Sequence, residues 1–313
     1  MKRYALFPGQ GAQTIGMAKD FIADIPEAKA RFDQASDVLG RNLAKICCEG
    51  PEEKLNATNN CQPALLVSSL VVFEFLEREL GWTAESYAGM AGLSLGEITA
   101  LVAAASLDFE DGVKLVEARG RFMQQACDTA KSSMTSVIGL TRQEAEALAD
   151  DVREPGKILT VANINAPTQM VFSGDPQLLA VVAEKVAQAG KRAIPLTVAG
   201  AFHSDYMKPA DLQLSGLLSE MDIKEPKVPV LSNVDALAHG TSVSIKDKLS
   251  RQIVSSVLWN ECMQNLPDGA ICYELGVGKV LTGLMRKINR AIKISPVNTV
   301  EDARKINIGE ASA

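Results

Sequence analysis

The sequence predicts an α/β fold, with a main domain built on a parallel sheet and an inserted ferredoxin-like subdomain. Residues 92–96 have the pattern Gly-x-Ser-x-Gly between an apolar segment and a helical pattern, which is typical of a strand, a sharp turn and a helix. Residues between about 131 and 199 follow the order β-α-β-β-α-β, which is that of a ferredoxin-like unit. The length of 313 residues suits one large domain or two smaller ones.

The first part of the main domain, residues 1–130, begins with a strand over 4–7 that runs into a Gly-Gln-Gly turn at 9–11. Helical and loop patterns alternate up to about residue 60. A strong helix is predicted over 64–80, with Pro63 near its first turn, and it is apolar on most faces and therefore buried. The Gly-x-Ser-x-Gly turn follows, and then a helix over about 108–130.

The inserted subdomain, residues 131–199, is predicted from a change of pattern at residue 134. The predicted strands cover 135–140, 158–163, 170–173 and 192–198, and the helices cover 142–152 and 176–189. The main domain resumes over 200–313 with strands at 228–233 and 270–274 and helices at 245–258 and 280–288. The tail after residue 302 is weakly patterned, so we expect it to be loose.

Composition excludes several classes of protein. The net charge of −6 gives no support for nucleic-acid binding. The longest apolar run, 64–76, contains two serines and a glutamate and is too short to span a bilayer. The amino terminus reaches a proline and glycine turn too soon for a secretory signal. The six cysteines have no metal-type spacing, so we expect reduced thiols in a cytoplasmic protein.

Ser94 is the candidate nucleophile. Gly92 and Gly96 flank it, and the sharp turn leaves no room for a Cβ at either position. The hydroxyl would then be exposed at the top of a sheet, and the amides that follow open a helix whose partial positive charge can stabilise an oxyanion. The pattern alone is common by chance, but the flanking strand and helix lie where the mechanism needs them.

A serine nucleophile needs a base, and the chain has two histidines. His239 lies in a turn between elements, and we interpret it as a surface loop residue. His203 lies where the chain returns from the subdomain to the main domain, and such junctions are favoured places for a site. His203 is therefore the candidate base, with a core histidine as the alternative. No Asp or Glu is marked as its partner, and a backbone carbonyl could orient the imidazole instead.

Arg119 is the second unusual residue, because its neighbours one helical turn away on both sides are all apolar. A guanidinium in a buried stripe must find an anion or bear a large desolvation cost. It could form a buried ion pair with an internal carboxylate. It could instead bind a substrate carboxylate, whose two oxygens suit its planar fork. Periodicity alone leaves both hypotheses open.

Two glycine turns, at 9–11 and 276–278, invite a phosphate-loop interpretation. Neither has the Gly-Lys-Ser/Thr ending, and neither has the dinucleotide-binding spacing. We expect the second to be a tight turn into a helix, and the first to bring a backbone amide near Ser94.

Several separated segments, taken together, resemble the malonyl-CoA:acyl carrier protein transacylase family. They are Phe-Pro-Gly-Gln-Gly-Ala-Gln at 7–13, Gln-Pro-Ala at 62–64, Gly-Leu-Ser-Leu-Gly-Glu at 92–97, Arg-Gly-Arg-Phe-Met at 119–123, Gly-Ala-Phe-His-Ser at 200–204, Ser-Asn-Val-Asp-Ala at 232–236 and Glu-Leu-Gly-Val-Gly-Lys-Val-Leu at 274–281. They occur in the family order over nearly the whole chain. The resemblance implies an α/β-hydrolase-like core with an inserted ferredoxin-like subdomain, in agreement with the predicted element order.

The resemblance also implies roles for individual residues. Ser94 would be the acylated nucleophile, His203 its base and Arg119 the residue that holds the malonyl carboxylate. The backbone amides of Gln10 and Leu95 would form the oxyanion hole, and the backbone carbonyl of Gln252 would orient the histidine. The segment around His203 resembles that of malonyl-selective members. The family usually has histidine before the nucleophile, whereas this chain has Leu93, which leaves the acyl-group range open.

The implied activity is transfer of malonyl from malonyl-CoA to the phosphopantetheine thiol of acyl carrier protein, through malonyl-serine, for fatty acid synthesis. No metal or redox cofactor is needed, and we expect a monomer. Alternatives are a stand-alone acyltransferase of a polyketide assembly line, a hydrolase of acyl-carrier thioesters and a non-catalytic binding subunit. Arg119 argues against the hydrolase, because simple acyl chains have no carboxylate for an arginine to bind. An intact Ser94 and His203 argue against the binding subunit.

Overall fold

The computed structural model describes residues 2–310, with the side chains of residues 2–306. The described strands are β1 Arg3–Phe7, β2 Gly89–Gly92, β3 Ser133–Ile138, β4 Leu159–Ala166, β5 Gln169–Gly174, β6 Arg192–Pro195, β7 Val230–Leu231, β8 Ile271–Leu275 and β9 Lys293–Val297. The described α-helices are α1 Lys19–Asp24, α2 Pro26–Leu39, α3 Leu43–Glu49, α4 Glu52–Asn56, α5 Thr58–Leu80, α6 Leu95–Ala103, α7 Phe109–Thr129, α8 Arg142–Val152, α9 Pro176–Gln188, α10 Lys208–Glu220, α11 Ser242–Gln252, α12 Trp259–Gln264, α13 Val280–Ile288 and α14 Val300–Glu310.

The main sheet is parallel, with strand order β7-β2-β1-β8-β9. Phe7, the last residue of β1, lies in register with Gly92, the last residue of β2. The loop after β1 and the turn after β2 therefore leave the same edge of the sheet side by side. Ligands of parallel sheets bind at this carboxyl edge.

The second sheet is antiparallel, with order β4-β5-β3-β6, and its chain order β3-α8-β4-β5-α9-β6 is the one expected of residues 131–199. The predicted α/β fold class, with a parallel sheet and a second small unit, is therefore confirmed. The exact domain boundaries stay a prediction, and residues 1 and 311–313 of the predicted core lie outside the described residues.

The predicted start of the long buried helix was wrong. Helix α5 begins at Thr58, so Pro63 lies inside it and not in its first turn. Proline has no N–H to bond to the carbonyl four residues earlier. That carbonyl, on Asn59, instead accepts a hydrogen bond from Arg41 Nη2 at 2.7 Å, and the helix continues through the proline. Although α5 is long, no helix within residues 2–310 is both long and apolar enough to cross a membrane.

Three further expectations for the carboxyl-terminal part of the main domain need correction. The predicted helix over 245–258 ends at Gln252, because Val257 leaves the helix and donates its backbone N–H to Ala162 at the edge of β4. The predicted strand over 228–233 contracts to β7. The described part of the tail after residue 302 is helical and not loose, since residues 303–310 continue α14, whose first turn Asp302 caps by accepting from the Thr299 amide.

Candidate active site

Ser94 occupies the turn between β2 and α6, with backbone angles φ 52° and ψ −103° that L-residues rarely adopt. The two flanking glycines permit this turn. A Cβ on Gly92 would lie 1.8 Å from the backbone carbon of Gly96, and one on Gly96 would lie 2.2 Å from the carbonyl oxygen of Phe7. The geometry is that of a nucleophile elbow, which holds Ser94 out at the carboxyl edge of the main sheet.

His203 lies next to this hydroxyl, with Nε2 2.9 Å from Ser94 Oγ. Its other ring nitrogen, Nδ1, lies 2.8 Å from the backbone carbonyl oxygen of Gln252. A carbonyl oxygen can only accept, so Nδ1 carries the proton and Nε2 is free to accept from the serine hydroxyl. The backbone carbonyl thus occupies the place that a carboxylate has in a Ser-His-Asp triad.

The small subdomain holds the histidine in this position. Ser173 Oγ, on β5, donates to the Phe202 carbonyl at 2.6 Å, and the Ala201 amide donates to Ser132 Oγ at 3.0 Å. Burial and the neighbouring Arg119 charge lower the pKa of His203 to about 4. The imidazole is therefore neutral at neutral pH, which is the form that a general base requires.

Arg119, on α7, is 2% exposed and points at the same hydroxyl. Its Nη2 donates to Ser94 Oγ at 3.0 Å and to Gln252 Oε1 at 2.9 Å, and its Nη1 donates to Gln62 Oε1 at 2.9 Å. Burial lowers the pKa of Arg119 to about 10, against the opposing effect of the Glu97 charge. The guanidinium therefore stays charged at neutral pH.

The hypothesis of a buried ion pair at Arg119 finds no support in these contacts. The three acceptors are neutral oxygens, and within the described part of the chain Nε has no hydrogen-bond partner. A buried cation that is held by amide and hydroxyl oxygens retains the capacity to bind an anion. This arrangement is the one expected of a carboxylate-binding arginine.

Gln10 and Leu95 line the same cavity as Ser94. The loop that bears Gln10 packs directly on the elbow, since a Cβ on Gly9 would lie 2.3 Å from the carbonyl oxygen of Leu93. Leu95 is the first residue of α6, so the helix offers its amide no acceptor. The Leu95 amide is thus available to an oxyanion, and the role of both backbone amides stays a prediction.

The interpretation of His239 as a surface residue was wrong. Its side chain is fully buried, and Nε2 lies 2.7 Å from Glu97 Oε1 on α6. The turn that contains it folds back on β7, where its amide donates to the Val230 carbonyl. A polar turn between elements is normally exposed, and the sequence gives no local signal that this one is covered.

Three residues near the site had no role in the sequence analysis. Gln62 bonds to Arg119, Glu97 bonds to the side chain of Gln252, and Asn233 Oδ1 accepts the Ser94 amide at 2.6 Å. A signal existed for Glu97, because it is a charged residue within the largely apolar helix α6, whereas Gln62 lies in the polar first turns of α5. Asn233 lies in a short loop with no such pattern.

The cavity at this site has a volume of about 260 Å³ and lies between the carboxyl edge of the main sheet and the small subdomain. Leu93, which stands where histidine is usual, lines it together with Met123, Met134 and Phe202. At this position the cavity is therefore lined by an apolar side chain in place of the usual imidazole. Among the described residues, no group of three or more His, Cys, Asp or Glu side chains is arranged to hold a metal ion.

Comparison with known proteins finds similar chains within one family. The acyl transferase domain family matches residues 5–279. The malonyl CoA-acyl carrier protein transacylase of Bacillus subtilis is 42% identical over 299 residues, covering 95% of this chain and 93% of that protein. The crystal structure of an acyl carrier protein S-malonyltransferase from Vibrio cholerae has a TM-score of 0.91 at 37% identity, covering 98% of this chain and 100% of that chain.

A malonyl-transacylase solved in complex with a type II PKS acyl-carrier protein has a TM-score of 0.91 at 34% identity, covering 97% of this chain and 98% of that chain. The fold, the order of the motifs and the sequence similarity over nearly the whole chain all indicate the same family. The chain therefore belongs to the acyl transferase family, within its group of malonyl-CoA:acyl carrier protein transacylases.

Proposed function

We propose that this chain transfers the malonyl group from malonyl-CoA to the phosphopantetheine thiol of acyl carrier protein, with Ser94 as the acylated nucleophile. One observation is central: Ser94 Oγ lies between a neutral imidazole, 2.9 Å away, and a buried guanidinium, 3.0 Å away, that has no carboxylate partner within the described residues. The first activates the hydroxyl, and the second can hold an acid on the acyl group.

In the first half-reaction, Ser94 Oγ attacks the thioester carbonyl carbon while its proton passes to His203 Nε2. The oxyanion is stabilised by the amides of Gln10 and Leu95 at the start of α6. The carbon–sulfur bond then breaks, and the CoA sulfur takes the proton from His203. The product is malonyl-Ser94.

In the second half-reaction, the thiol of the carrier's phosphopantetheine gives its proton to His203 Nε2 and attacks the ester carbonyl. The bond to Ser94 Oγ breaks, and the serine recovers the proton. One covalent intermediate between two half-reactions means ping-pong kinetics. These steps use no metal or redox cofactor.

Arg119 gives the reaction its acyl selectivity. In malonyl, one methylene separates the carboxylate from the reacting carbonyl carbon, so an acyl group on Ser94 Oγ brings the carboxylate to the guanidinium. An acetyl group leaves this buried charge without an anion and is disfavoured. The same argument disfavours a general thioester hydrolase.

The relatives support the choice of acceptor. One is named for transfer to acyl carrier protein, and another was solved together with a carrier of a type II PKS. We take the carrier of fatty acid synthesis as the acceptor of this chain, in a monomeric cytoplasmic enzyme.

The direct test is mass spectrometry after brief exposure to malonyl-CoA. We expect one malonyl group on the peptide that contains Ser94, its loss when carrier protein with a phosphopantetheine arm is added, and no label in Ser94→Ala. Carrier protein without the arm is the control and should leave the label in place. Label at another residue, or normal transfer by Ser94→Ala, would exclude Ser94 as the nucleophile.

A further inference from the structure

Beneath the nucleophile lies a carboxylate that the reaction steps above do not use. Glu97, on the first turn of α6, is 0% exposed. Its Oε2 accepts from the Asn233 amide at 2.8 Å and from Gln252 Nε2 at 2.7 Å, and its Oε1 lies 2.7 Å from His239 Nε2. A buried carboxylate is costly unless each oxygen is satisfied, and here each oxygen is satisfied.

One of these partners, Gln252, contacts Ser94, His203 and Arg119. Its backbone carbonyl bonds to His203, its Oε1 accepts from Arg119 Nη2, and its Nε2 donates to the Ser94 carbonyl at 3.1 Å. The orientation of this amide is fixed, because its NH₂ faces the Glu97 carboxylate and its oxygen faces the guanidinium. The hydrogen bond that Gln252 Nε2 donates to Glu97 therefore holds Gln252 Oε1 toward Arg119 Nη2.

The second partner, Asn233, holds the elbow itself. Its Oδ1 accepts from the Ser94 amide, and its Nδ2 donates to the Gly92 carbonyl at 2.9 Å. Its backbone is in turn held by Glu97 Oε2. The strained turn at Ser94 is thus tied to the same carboxylate oxygen as Gln252.

We propose that Glu97 is a positioning residue of the reaction, which acts through Gln252 and Asn233 to align Arg119 and Ser94, with His239 holding its second oxygen. The inference rests on the proposed function, since it concerns the atoms that perform that reaction. Because Arg119 stays charged, we expect the reach and the hydrogen bonds of Glu97, more than its charge, to set the rate.

Two substitutions separate the effect of the length of the Glu97 side chain from the effect of its charge. In Glu97→Gln, one amide oxygen in place of Oε2 can still accept from both Asn233 and Gln252. The amide NH₂ in place of Oε1 can donate to His239 Nε2, provided that the imidazole proton moves to Nδ1, which is free of partners among the described residues. In Glu97→Asp the charge stays, but the carboxylate withdraws by about 1.5 Å, the length of one carbon–carbon bond.

The experiment measures the single-turnover rate of Ser94 malonylation at saturating malonyl-CoA, together with Tm. We expect Glu97→Asp to lose about 10- to 100-fold in this rate, because a displacement of about 1 Å at a reacting group costs that much. We expect Glu97→Gln to stay within about threefold of the wild type. The opposite order would show that the charge acts and would overturn the proposal.

A matched control is Glu274→Asp. Glu274 is also 0% exposed and accepts three hydrogen bonds, from the amides of Leu281 and Thr282 and from Thr282 Oγ1, and none of these bonds involves Ser94, His203 or Arg119. We expect it to lower Tm without slowing malonylation at temperatures well below Tm. If Glu97→Asp likewise loses only Tm, Glu97 is merely structural and the proposal fails. A wild type that is not malonylated on Ser94 would instead refute the proposed function.

Discussion

Replacing Arg119 with alanine separates a carboxylate-binding arginine from a structural one. The guanidinium is 2% exposed and has no carboxylate partner among the described residues, so an arriving malonyl carboxylate forms a desolvated, charge-assisted pair. The loss of that pair is worth about 1.5–3 kcal/mol. This corresponds to about a 10- to 150-fold decrease in kcat/KM for malonyl-CoA.

Acetyl-CoA is the internal control for this variant, because it lacks the carboxylate and leaves the buried charge unpaired in the wild type. We expect Arg119→Ala to leave acetyl transfer unchanged or improved. Arg119→Lys keeps the charge but loses the planar fork, so its malonyl activity should lie between those of the wild type and Arg119→Ala. The assay is kcat/KM for both thioesters in each variant, with a thermal melt alongside.

Parallel losses for the two thioesters, together with a lowered Tm, would refute this reasoning. Such a result would show that the bonds from Arg119 to Gln62 and Gln252 hold the fold and that malonyl selectivity lies elsewhere. The melt is informative in itself. Removal of Arg119 relieves the cost of burying a charge but leaves two amide oxygens unpaired, and these effects oppose each other.

Three further predictions follow from the same geometry. Because a general base acts when neutral, kcat/KM should be flat at neutral pH and fall only near the His203 pKa of about 4. In Arg119→Ala the loss of a positive neighbour raises the pKa of His203, so the acidic limb of the pH–rate profile should shift to higher pH. Gly92→Ala should abolish malonylation, since the new Cβ would lie 1.8 Å from the Gly96 backbone, and a normal rate would contradict the elbow geometry. Docking of an acidic carrier protein needs a local basic patch on this chain. Charge reversal at the residues of that patch should raise the KM for the carrier but not for malonyl-CoA. An unchanged KM for both substrates would exclude the patch. The patch residues are Lys191, Arg192, Lys279, Arg286, Lys287 and Arg290.

The structure distinguishes among the residues of this patch. Lys279 precedes Val280, which lines the cavity, and Lys287 bonds to Gln169, which also lines it. Lys191 is already paired with Glu144 at 3.1 Å. Reversal at Lys279 or Lys287 should therefore raise the carrier KM more than reversal at Lys191.

The sequence by itself determined the features that depend on near neighbours along the chain. The turn at Ser94 follows from two glycines within two residues, because a Cβ at either would overlap backbone. The burial of Arg119 follows from its apolar neighbours on one helix. The order of elements in the small subdomain follows from changes of periodicity. The family resemblance indicated which residues share one site, but it did not give the distances between them.

Only the tertiary structure decided which groups meet. Ser94 and His203 are 109 residues apart in sequence, and Glu97 and His239 are 142 apart. Periodicity shows which face of an element is buried, but not which distant loop covers it. His239 was misjudged for this reason, since a turn that looks solvent-exposed is folded against β7 and α6. The same limit applies to Arg119. Whether it forms an ion pair or binds a substrate could be addressed only when the structure showed its neutral partners, Gln62 and Gln252.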